Sequence, residues 1–400
     1  MHTNILICGA GVIGLTLARE LCSRGVKDIV LLEAEAEIGL HASGRNSGVL
    51  HSGIYYAPES VRAKTCGEGA RLMAEYCQAK GLPYDKNGKV IVAQKESDIP
   101  AMEALFSKAV ANGATVHFID EKELADIEPL ARTAGGRALY SPNTAVVEPK
   151  AVLNALAAEL AATGKVKILT NRRFQHVKGT TAHTLGGPIS FRLFINAAGP
   201  YSDKVAHAFN LGREYALIPF KGIYHQFVSK NAARVRGSIY PVPDARNTFL
   251  GVHFTRGMNG NVYVGPTAIP AFGRVNYGLL EGVSPGEALS ILGAMAAMFF
   301  KNPGFRRVAL EEPRKYIPRF FFKDARTLLN TLEKSDIRRC PKVGLRPQLV
   351  HKKTWSMVMD FFSVQGDNSF HLLNTISPGF TSSMALAKTL ADTIEKSYSV

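Results

Sequence analysis

A glycine turn near the N-terminus constrains the fold of this chain more than any other feature. Residues Ile5–Cys8 form a short apolar segment that runs directly into Gly9–Gly14 and then into a helical stretch, Leu15–Ser23. A second short apolar segment, Ile29–Leu32, follows and ends at Glu33. Short apolar runs without alternation are typical of parallel strands that are buried on both faces. The order strand, glycine turn, helix, strand therefore predicts an α/β domain built on a parallel sheet.

The spacing of the glycines predicts what this turn binds. Gly9 permits the tight turn, Gly11 allows a pyrophosphate to approach the backbone, and Gly14 allows the helix to pack closely on the strand. Glu33 lies nineteen positions after Gly14, where a carboxylate can hydrogen-bond the hydroxyls of a ribose. We therefore predict a bound dinucleotide, with a glycine turn that binds nothing as the alternative. The turn does not distinguish a nicotinamide from a flavin, because both carry adenosine diphosphate.

A dense run of polar and aromatic residues follows between Gly44 and Tyr56. It reads Gly-Arg-Asn-Ser-Gly-Val-Leu-His-Ser-Gly-Ile-Tyr-Tyr and supplies hydrogen-bond donors, a titratable base at His51 and aromatic rings within thirteen positions. Its glycines allow the backbone to approach a flat cofactor closely. Because functional residues concentrate on loops of this kind, we predict that chemistry takes place here.

Two later segments indicate a flavin. Phe194–Ser202 is an apolar strand ending in small residues, which allows a late loop to approach the pyrophosphate. Ser377–Ser383 precedes an amphipathic helix, Met384–Ile394, for which Thr381 or Ser382 can serve as N-cap. Both segments resemble the D-amino-acid-oxidase-like flavoprotein superfamily. In that superfamily the helix N-terminus faces the flavin N1 and C2 carbonyl, where charge accumulates on reduction; a capped surface helix is the alternative.

Longer segments narrow this resemblance. They are Gly44–Cys77, Lys80–Tyr84, Gly88–Ala93, Val146–Pro149, Pro219–Gly222, Ile239–Asp244, Phe249–Arg256 and Ser377–Ser383. Together they look like the family of L-2-hydroxyglutarate dehydrogenases and oxidases, and the resemblance is thinnest between Phe272 and Val343. Two residues depart from the family pattern: Thr267 stands where an asparagine is usual, and Pro347 stands where an alanine is usual. Either could reshape a substrate pocket.

The resemblance implies an enzyme that oxidises L-2-hydroxyglutarate to 2-oxoglutarate by transferring a hydride to flavin N5 of FAD. The electrons would then pass to a quinone or to oxygen. An enzyme of the same fold acting on glycerol 3-phosphate, another 2-hydroxy acid or an amino acid is an alternative. A flavin-binding protein without turnover is an alternative of another class.

The oxidation of a 2-hydroxy acid requires a base for the hydroxyl proton and cations for the carboxylates. His51 is the first candidate for the base, because a histidine in the similar loop of glycerol-3-phosphate oxidases has that role, and His253 is the second. Arg346 is the candidate for a bidentate carboxylate contact, because related flavoproteins direct an arginine at the substrate from this place. Structural histidines and an ordinary ion pair are the alternatives.

The remaining predicted site residues fall into two groups. Those expected to complete the substrate pocket are Lys221, Tyr240, Arg256 and Thr381. Those expected to contact the cofactor are Gly9, Gly11, Val12, Ile13, Gly14, Glu33, Ala34, Ser43, Arg45, Asn46, Ser47, Ala198, Gly199, Gly379, Thr381 and Ser382. No metal site is expected.

The order of elements predicts two interleaved domains. A Rossmann-like FAD-binding domain is expected from residues 1–83, 144–213 and 340–400. An α+β substrate domain, a mixed sheet with a helical segment, is expected from residues 84–143 and 214–339. The predicted helices include Ile99–Asn112, placed alone among the strands of residues 84–140, and Pro149–Ala162; the predicted strands over the flavin are Gly222–Val228, Thr248–His253 and Asn261–Val264.

The formal net charge of +15 is unusual, and part of it lies in the poorly matched region. There, basic residues alternate with aromatic ones: Phe299, Phe300, Lys301, Phe305, Arg306, Arg307, Arg314, Lys315, Tyr316, Arg319, Phe320, Phe321, Phe322 and Lys323. This composition suits peripheral contact with an anionic membrane, where a quinone is reduced, or equally a solvated basic face over an aromatic core. Nucleic acid is not expected, because no recognised binding module accompanies the charge.

The cysteines and the apolar stretches of the sequence predict the cellular compartment of the protein. The five cysteines include no Cys-x-x-Cys pair, which indicates a reducing compartment without disulfides or metal ligation. The longest apolar stretch, Ala288–Phe300, is shorter than the roughly twenty residues of a spanning helix. The first strand begins within a few residues of the N-terminus, so no targeting segment is expected. We therefore predict a cytoplasmic enzyme, with possible peripheral attachment to the inner face of the cell membrane.

Overall fold

The computed structural model describes residues 1–244 and 249–398. The helices are α1 (Val12–Ser23), α2 (Val61–Ala79), α3 (Ile99–Ala111), α4 (Glu121–Ile127), α5 (Pro149–Ala162), α6 (Ser202–Ala208), α7 (Pro285–Lys301), α8 (Pro303–Glu311), α9 (Pro318–Arg326) and α10 (Gly379–Tyr398).

The strands are β1 (His2–Cys8), β2 (Ile29–Leu32), β3 (Val49–Leu50), β4 (Tyr84–Asp85), β5 (Lys89–Val92), β6 (His117–Asp120), β7 (Arg137–Ser141), β8 (Ala145–Val147), β9 (Val166–Leu169), β10 (Phe174–Lys178), β11 (Thr181–Thr184), β12 (Gly187–Asn196), β13 (Tyr215–Phe227), β14 (Ser238–Pro241), β15 (His253–Arg256), β16 (Val262–Gly265), β17 (Ile269–Pro270), β18 (Ile337–His351), β19 (Ser356–Met357), β20 (Phe362–Gly366) and β21 (Ser369–Asn374).

The first large sheet carries the glycine turn. Its centre is five parallel strands in the order β21-β12-β1-β2-β9. The antiparallel hairpin β10–β11 extends it beside β12, and β20 pairs with β21. Helices α1, α5 and α10 pack together in the adjoining apolar core. The apolar segments Ile5–Cys8 and Ile29–Leu32 form neighbouring parallel strands, so the predicted α/β class is confirmed.

The second large sheet has the order β19-β18-β13-β16-β15-β14-β5-β7-β6, with β17 also paired to β13. It is mixed, because β14 and β5 run parallel while the other pairs are antiparallel. One face is apolar: Val90, Ile239 and Phe254 pack there against Phe321 of α9. The other face packs Ile91 and Leu139 against α3 and also carries Tyr240 and His253, which line the cavity described below.

Two predicted elements differ from the structure, and one predicted domain boundary falls inside a strand. Strand β18 pairs with β13 from Ile337 to His351, so the predicted domain boundary at residue 340 would divide one strand. Residues 84–140 contain two helices instead of one, because the capping box of Asp120 and Glu123 starts the short helix α4. The strand expected at Thr248–His253 begins at His253 and ends at Arg256. Its predicted first residue, Thr248, lies outside the described residues.

The helices between Phe272 and Val343 have both a buried aromatic core and an exposed face with aromatic and basic residues. Phe305 and Phe321 are buried in apolar cores, whereas Phe300 and Tyr316 are exposed. Lys315 pairs with the buried Glu312 at 2.6 Å. Among the described residues there is no helix with the length and apolar character needed to cross a bilayer.

Candidate active site

A cavity of about 600 Å³ is lined by residues from both large sheets and their loops. This volume lies within the range of roughly 300–1,000 Å³ that is usual for ligand and cofactor pockets. We call the part lined by Gly9, Gly11 and Glu33 the glycine end. We call the part lined by His51, Tyr240, His253, Phe249 and Arg346 the histidine end.

The glycine end is shaped by backbone. Gly9 adopts a φ of +115°, and a Cβ atom there would collide with the carbonyl oxygen of Ala197. A Cβ on Gly11 would lie 2.9 Å from Ser43 Oγ, and one on Gly14 would collide with the carbonyl oxygen of Gly9. Helix α1 therefore starts against the end of β1 with an open backbone surface. Gly14 itself does not line the cavity; it allows the helix and the turn to pack closely.

The start of α1 is suited to an anion. Gly11 occupies the N-cap position and provides no side-chain hydrogen bond, while the amide of Val12 donates to Ser43 Oγ at 3.0 Å. No acidic residue lies in the first turn. Free amides and the positive end of the helix dipole favour a phosphate at this position.

Glu33 lies at the opposite side of the glycine end, directly after β2. Its Oε1 accepts a hydrogen bond from the amide of Glu35 at 3.1 Å. Burial raises the pKa of the Glu33 carboxyl above its usual value. Ala34 also lines the cavity here, as do Ala198 and Gly199 from the loop after β12.

The loop before β3 is held by its own polar groups. Arg45 donates from Nε to the carbonyl oxygen of Leu40 at 2.7 Å, and its guanidinium lies 4.1 Å from the ring centre of Tyr277. Asn46 Nδ2 donates to the carbonyl oxygen of Ser43 at 2.7 Å. Four residues that the sequence predicts to contact the cofactor line the cavity here: Ser43, Arg45, Asn46 and Ser47.

Helix α10 joins the cavity at its first turn. Gly379 and Thr381 line the cavity, and Thr381 Oγ1 accepts from the amide of His51 and donates to the carbonyl oxygen of Val49, each at 3.2 Å. The prediction that Thr381 or Ser382 is the N-cap is wrong, because the helix begins at Gly379 and includes both residues. Ser382 is buried and does not line the cavity.

Two histidines line the histidine end. His51 follows β3, in the small sheet β3-β8-β4, and His253 opens β15. His253 Nδ1 lies 2.8 Å from the carbonyl oxygen of Gly251, so this nitrogen carries the hydrogen and Nε2 is the acceptor. The His253 ring stacks on Tyr240 with centroids 3.9 Å apart.

Both imidazoles are neutral near pH 7. Burial, and next the charges of Lys89 and His253, lower the pKa of His51 to about 3. Burial is also the main cause that lowers the pKa of His253 to about 4, partly opposed by its bond to Gly251. A neutral imidazole can accept a proton, so either ring is chemically able to act as a base.

Arg346, on β18, supplies a cation to the same end. Its guanidinium lies 5.0 Å from the ring centre of Phe249, and no carboxylate among the described residues forms an ion pair with it. Burial and the nearby charge of Arg62 lower the pKa of Arg346 to about 10, so it remains charged. A partly buried guanidinium without an acidic partner is suited to an anionic ligand.

Two predicted substrate residues lie away from the cavity. Lys221 Nζ donates to Asn276 Oδ1 at 2.9 Å and to the carbonyl oxygen of Gly278 at 2.6 Å, so it holds a loop. Arg256 donates to the carbonyl oxygens of Ala233 and Val235 at the far end of β15. Each of these side chains is engaged with backbone or amide oxygens, and neither lines the cavity.

Comparison with known proteins decides the family. The chain matches, over residues 4–393, the sequence model of a family described as FAD dependent oxidoreductase and abbreviated DAO. The chain belongs to this family of FAD-dependent oxidoreductases. The superfamily and the cofactor FAD that the sequence predicted are thereby confirmed.

Relatives of this FAD-dependent oxidoreductase extend over nearly its whole length. It is 32% identical to the human mitochondrial L-2-hydroxyglutarate dehydrogenase, covering 99% of this chain and 89% of the relative. It is 33% identical to the L-2-hydroxyglutarate dehydrogenase of Indibacter alkaliphilus, covering 98% of both chains. The narrower resemblance predicted from the sequence is therefore confirmed.

Solved structures share the fold of this FAD-dependent oxidoreductase. The dithionite-reduced L-α-glycerophosphate oxidase of Mycoplasma pneumoniae with FAD bound superposes with a TM-score of 0.76 at 22% identity, covering 99% of this chain and 95% of that one. The glycine oxidase of Bacillus cereus gives a TM-score of 0.69 at 20% identity, covering 99% and 98%. The glycine end fits FAD, because a side chain at Gly9 or Gly11 would fill the space beside α1 that a pyrophosphate needs.

Proposed function

We propose that this enzyme catalyses the FAD-dependent oxidation of L-2-hydroxyglutarate to 2-oxoglutarate. The observation that carries the proposal is the composition of the histidine end, where the unpaired cation of Arg346 and two neutral imidazoles line one cavity. An anionic hydroxy acid needs both a cation and a proton acceptor. The curated relatives that share this chain's length are named for that reaction.

Each group has a defined part in the proposal. Arg346 binds a substrate carboxylate through two parallel N–H···O bonds. His51 accepts the proton of the substrate hydroxyl, and His253 provides a second neutral imidazole beside Tyr240. FAD, when bound, accepts the α-hydrogen of the substrate as a hydride. The aromatic residues Phe220 and Phe249 line the same end and exclude water from the bound acid.

The cofactor contacts are part of the same proposal. Gly9, Gly11, Val12 and Ile13 would hold the pyrophosphate, and Glu33 would hold the adenosine ribose. The further residues proposed to contact FAD line the cavity: Ala34, Ser43, Arg45, Asn46, Ser47, Ala198, Gly199, Gly379 and Thr381.

The test is anaerobic bleaching of the flavin absorbance of the purified holoenzyme. The substrates are L-2-hydroxyglutarate, its D enantiomer, glycerol 3-phosphate, lactate and a set of L-amino acids. We expect fast bleaching with L-2-hydroxyglutarate alone. Preferential bleaching by glycerol 3-phosphate or an amino acid would establish one of the alternative substrates, and no bleaching by any would support a flavin-binding protein without turnover.

Variants separate the site from the rest of the protein. His51→Ala and Arg346→Ala are expected to retain yellow flavin and lose bleaching by L-2-hydroxyglutarate. Arg256→Ala is the matched control, because this arginine does not line the cavity, and it should bleach like the wild type. Unchanged bleaching in both site variants would refute the assigned roles.

We further propose that α7 contacts an anionic membrane, where a quinone accepts the electrons; oxygen is the alternative acceptor. Leu289, Leu292 and Phe300 are 73%, 47% and 73% exposed and form one stripe on this helix. The opposite stripe is buried. Exposed Lys301 and Arg306 adjoin the stripe, and apolar residues beside cations suit a negatively charged bilayer surface.

Sedimentation with lipid vesicles tests this contact. The wild type should bind vesicles that contain phosphatidylglycerol and not vesicles of phosphatidylcholine alone. Phe300→Glu should reduce binding, whereas Leu185→Glu, at a 63% exposed leucine in the β11–β12 turn, should not. Equal loss in both variants, or no binding by the wild type, would reject the surface.

A further inference from the structure

Lys89 is a buried amine that the proposed reaction does not yet use. It opens β5 and is 1% exposed. Its Nζ has no hydrogen-bond partner among the described residues and forms no ion pair with any carboxylate there. Burying an ammonium without an acidic partner is costly, so a fold that retains one there needs a compensating reason.

The position of Lys89 connects it to the histidine end. In the large mixed sheet, Lys89 pairs with Ser141 of β7 and Ser238 of β14, and Ser238 pairs with Thr255 of β15. Paired residues point to the same face of a sheet. All four side chains are buried, and they form a polar row on the face opposite the apolar core under α9.

Two aromatic rings hold the amine in place. Nζ of Lys89 lies 4.7 Å from the ring centre of Tyr55 and 5.2 Å from that of Tyr240. The Tyr240 ring stacks in turn on His253. Cation–π contacts stabilise a desolvated ammonium, so the charge of Lys89 lies one ring away from a site imidazole.

The titratable neighbours of Lys89 leave its charge uncompensated. Burial raises the pKa of Cys66 to about 12, and its thiol donates to the carbonyl oxygen of His51 at 3.3 Å, so it stays neutral. Burial likewise raises the pKa of both tyrosines. The titratable groups that face Lys89, from the His51 loop, α2, β14 and β15, are His51, Tyr55, Cys66, Tyr240 and His253.

As the pH falls, Lys89 is protonated before His51 and His253, and this order determines how its charge acts on them. Burial lowers the pKa of Lys89 to about 7, which still lies above the pKa of about 3 for His51 and about 4 for His253. As the pH falls, the amine therefore takes a proton before either imidazole does. Its positive charge then repels a proton from both rings.

We propose that Lys89 is a positioning residue whose buried positive charge, held between Tyr55 and Tyr240, keeps His51 and His253 in the neutral form that accepts the substrate proton. The expected effect on kcat/KM rests on the proposed function, whereas the effect on the protonation of the two histidines does not. We expect an effect confined to acidic pH, because above neutral pH the histidines need no such protection.

Three holoenzymes test it: the wild type, Lys89→Met and Lys89→Arg. Methionine keeps the length of the stem without charge, and arginine keeps the charge. Histidine ring resonances of labelled protein are titrated by NMR, and kcat/KM for L-2-hydroxyglutarate is measured with a dye acceptor, both from pH 3 to 9, so that the range includes the pKa values of about 3 and about 4. In Lys89→Met we expect the pKa of both imidazoles, and with it the acid limb of kcat/KM, to move up, while burial still holds both pKa values below 6.5.

The outcomes separate a positioning role from a structural one. Lys89→Arg should keep the wild-type acid limb, and Lys89→Met should match the wild type at pH 8. Lower activity at every pH without a shift of the histidine titrations would overturn the proposal. If Lys89→Met does not fold, Lys89→Gln provides the same comparison. A wild type that does not oxidise L-2-hydroxyglutarate refutes the proposed function, whereas the NMR titrations still decide the effect of Lys89.

Discussion

The two ends of the cavity are built by different means. The glycine end relies on the absence of side chains: Gly9 and Gly11 leave space beside the start of α1 that any Cβ would fill. The histidine end relies on charged and titratable side chains, among them His51, His253 and Arg346, which are kept without acidic partners. The first end should therefore respond to changes of shape, and the second to changes of charge.

The largest expected effect is at the glycine end. Gly9→Ala places a Cβ against the carbonyl oxygen of Ala197 at a φ of +115°, so the variant should purify without FAD. Gly25→Ala is the matched control, because Gly25 also has a positive φ, +95°, yet no atom lies within 4 Å of its Cβ position. The ratio of flavin to protein absorbance measures both. Equal flavin content in the two variants would contradict the steric argument.

A second prediction concerns the geometry of the cation at the histidine end. Arg346→Lys keeps the charge but loses the planar fork that binds a carboxylate with two hydrogen bonds. We expect normal flavin content and a kcat/KM for L-2-hydroxyglutarate reduced by roughly 10–100-fold, equivalent to about 1.4–2.7 kcal/mol. Steady-state kinetics at saturating acceptor provide the measurement. A wild-type kcat/KM would mean that charge alone is sufficient there.

A third prediction concerns pH, which should affect the histidine end more than the glycine end. The pKa values of about 3 for His51 and about 4 for His253 lie below the usual value of 6.5, so between these limits the unfolded chain binds more protons than the folded one. Stability should therefore fall as the pH drops from 6.5 towards 4, by up to ~1.4 kcal/mol per pH unit for each ring. Urea unfolding of the apoprotein measures this slope. His253→Gln should make it shallower, and an unchanged slope would show that the ring is not neutral in the fold.

The smallest expected effect on turnover is at Thr267. Its Oγ1 accepts a hydrogen bond from the amide of Ile223 at 3.0 Å while the residue lines the cavity. Thr267→Val leaves that partly buried amide unpaired, which should cost about 1 kcal/mol of stability with little change in kcat. Thr267→Ser retains the bond and should behave like the wild type. Thermal unfolding distinguishes them, and a large fall in kcat for Thr267→Val alone would assign the hydroxyl to the substrate.

The glycine end could be predicted from the sequence because its signals are local. The turn, helix α1 and the acid at Glu33 follow one another within a single strand–helix–strand unit, and α5 begins and ends where the sequence placed it. The start of α10 was missed by several residues, because Thr381 and Ser382 are typical N-cap residues and their place inside the first turn depends on contacts with the His51 loop.

The histidine end could be predicted only in part, because its members come from strands that are distant in sequence. Both Lys89 and Lys221 are buried strand lysines, yet Lys221 is bound to loop oxygens, whereas Lys89 lies against the ring of Tyr240, which lines the cavity. Sheet register, which a single sequence does not contain, decides between them. The available signal was the period of two along β5, which places Lys89 and Ile91 on one face of the strand and Val90 and Val92 on the other.

The polar row that includes Lys89 also influences which register the strands of the mixed sheet adopt during folding. Side chains alternate with a period of two, so sliding β5 by one residue along β14 would turn Lys89 into the apolar core under α9 and place Val90 in the polar row. In that register the Lys89 amine would lie in the apolar core with Phe254 and Phe321 and would lose its contacts with the Tyr55 and Tyr240 rings, which makes the shifted pairing unfavourable. The alternation of side chains along β5 thus disfavours the shifted register, and the register that remains is the one that sets Lys89 beside Tyr240.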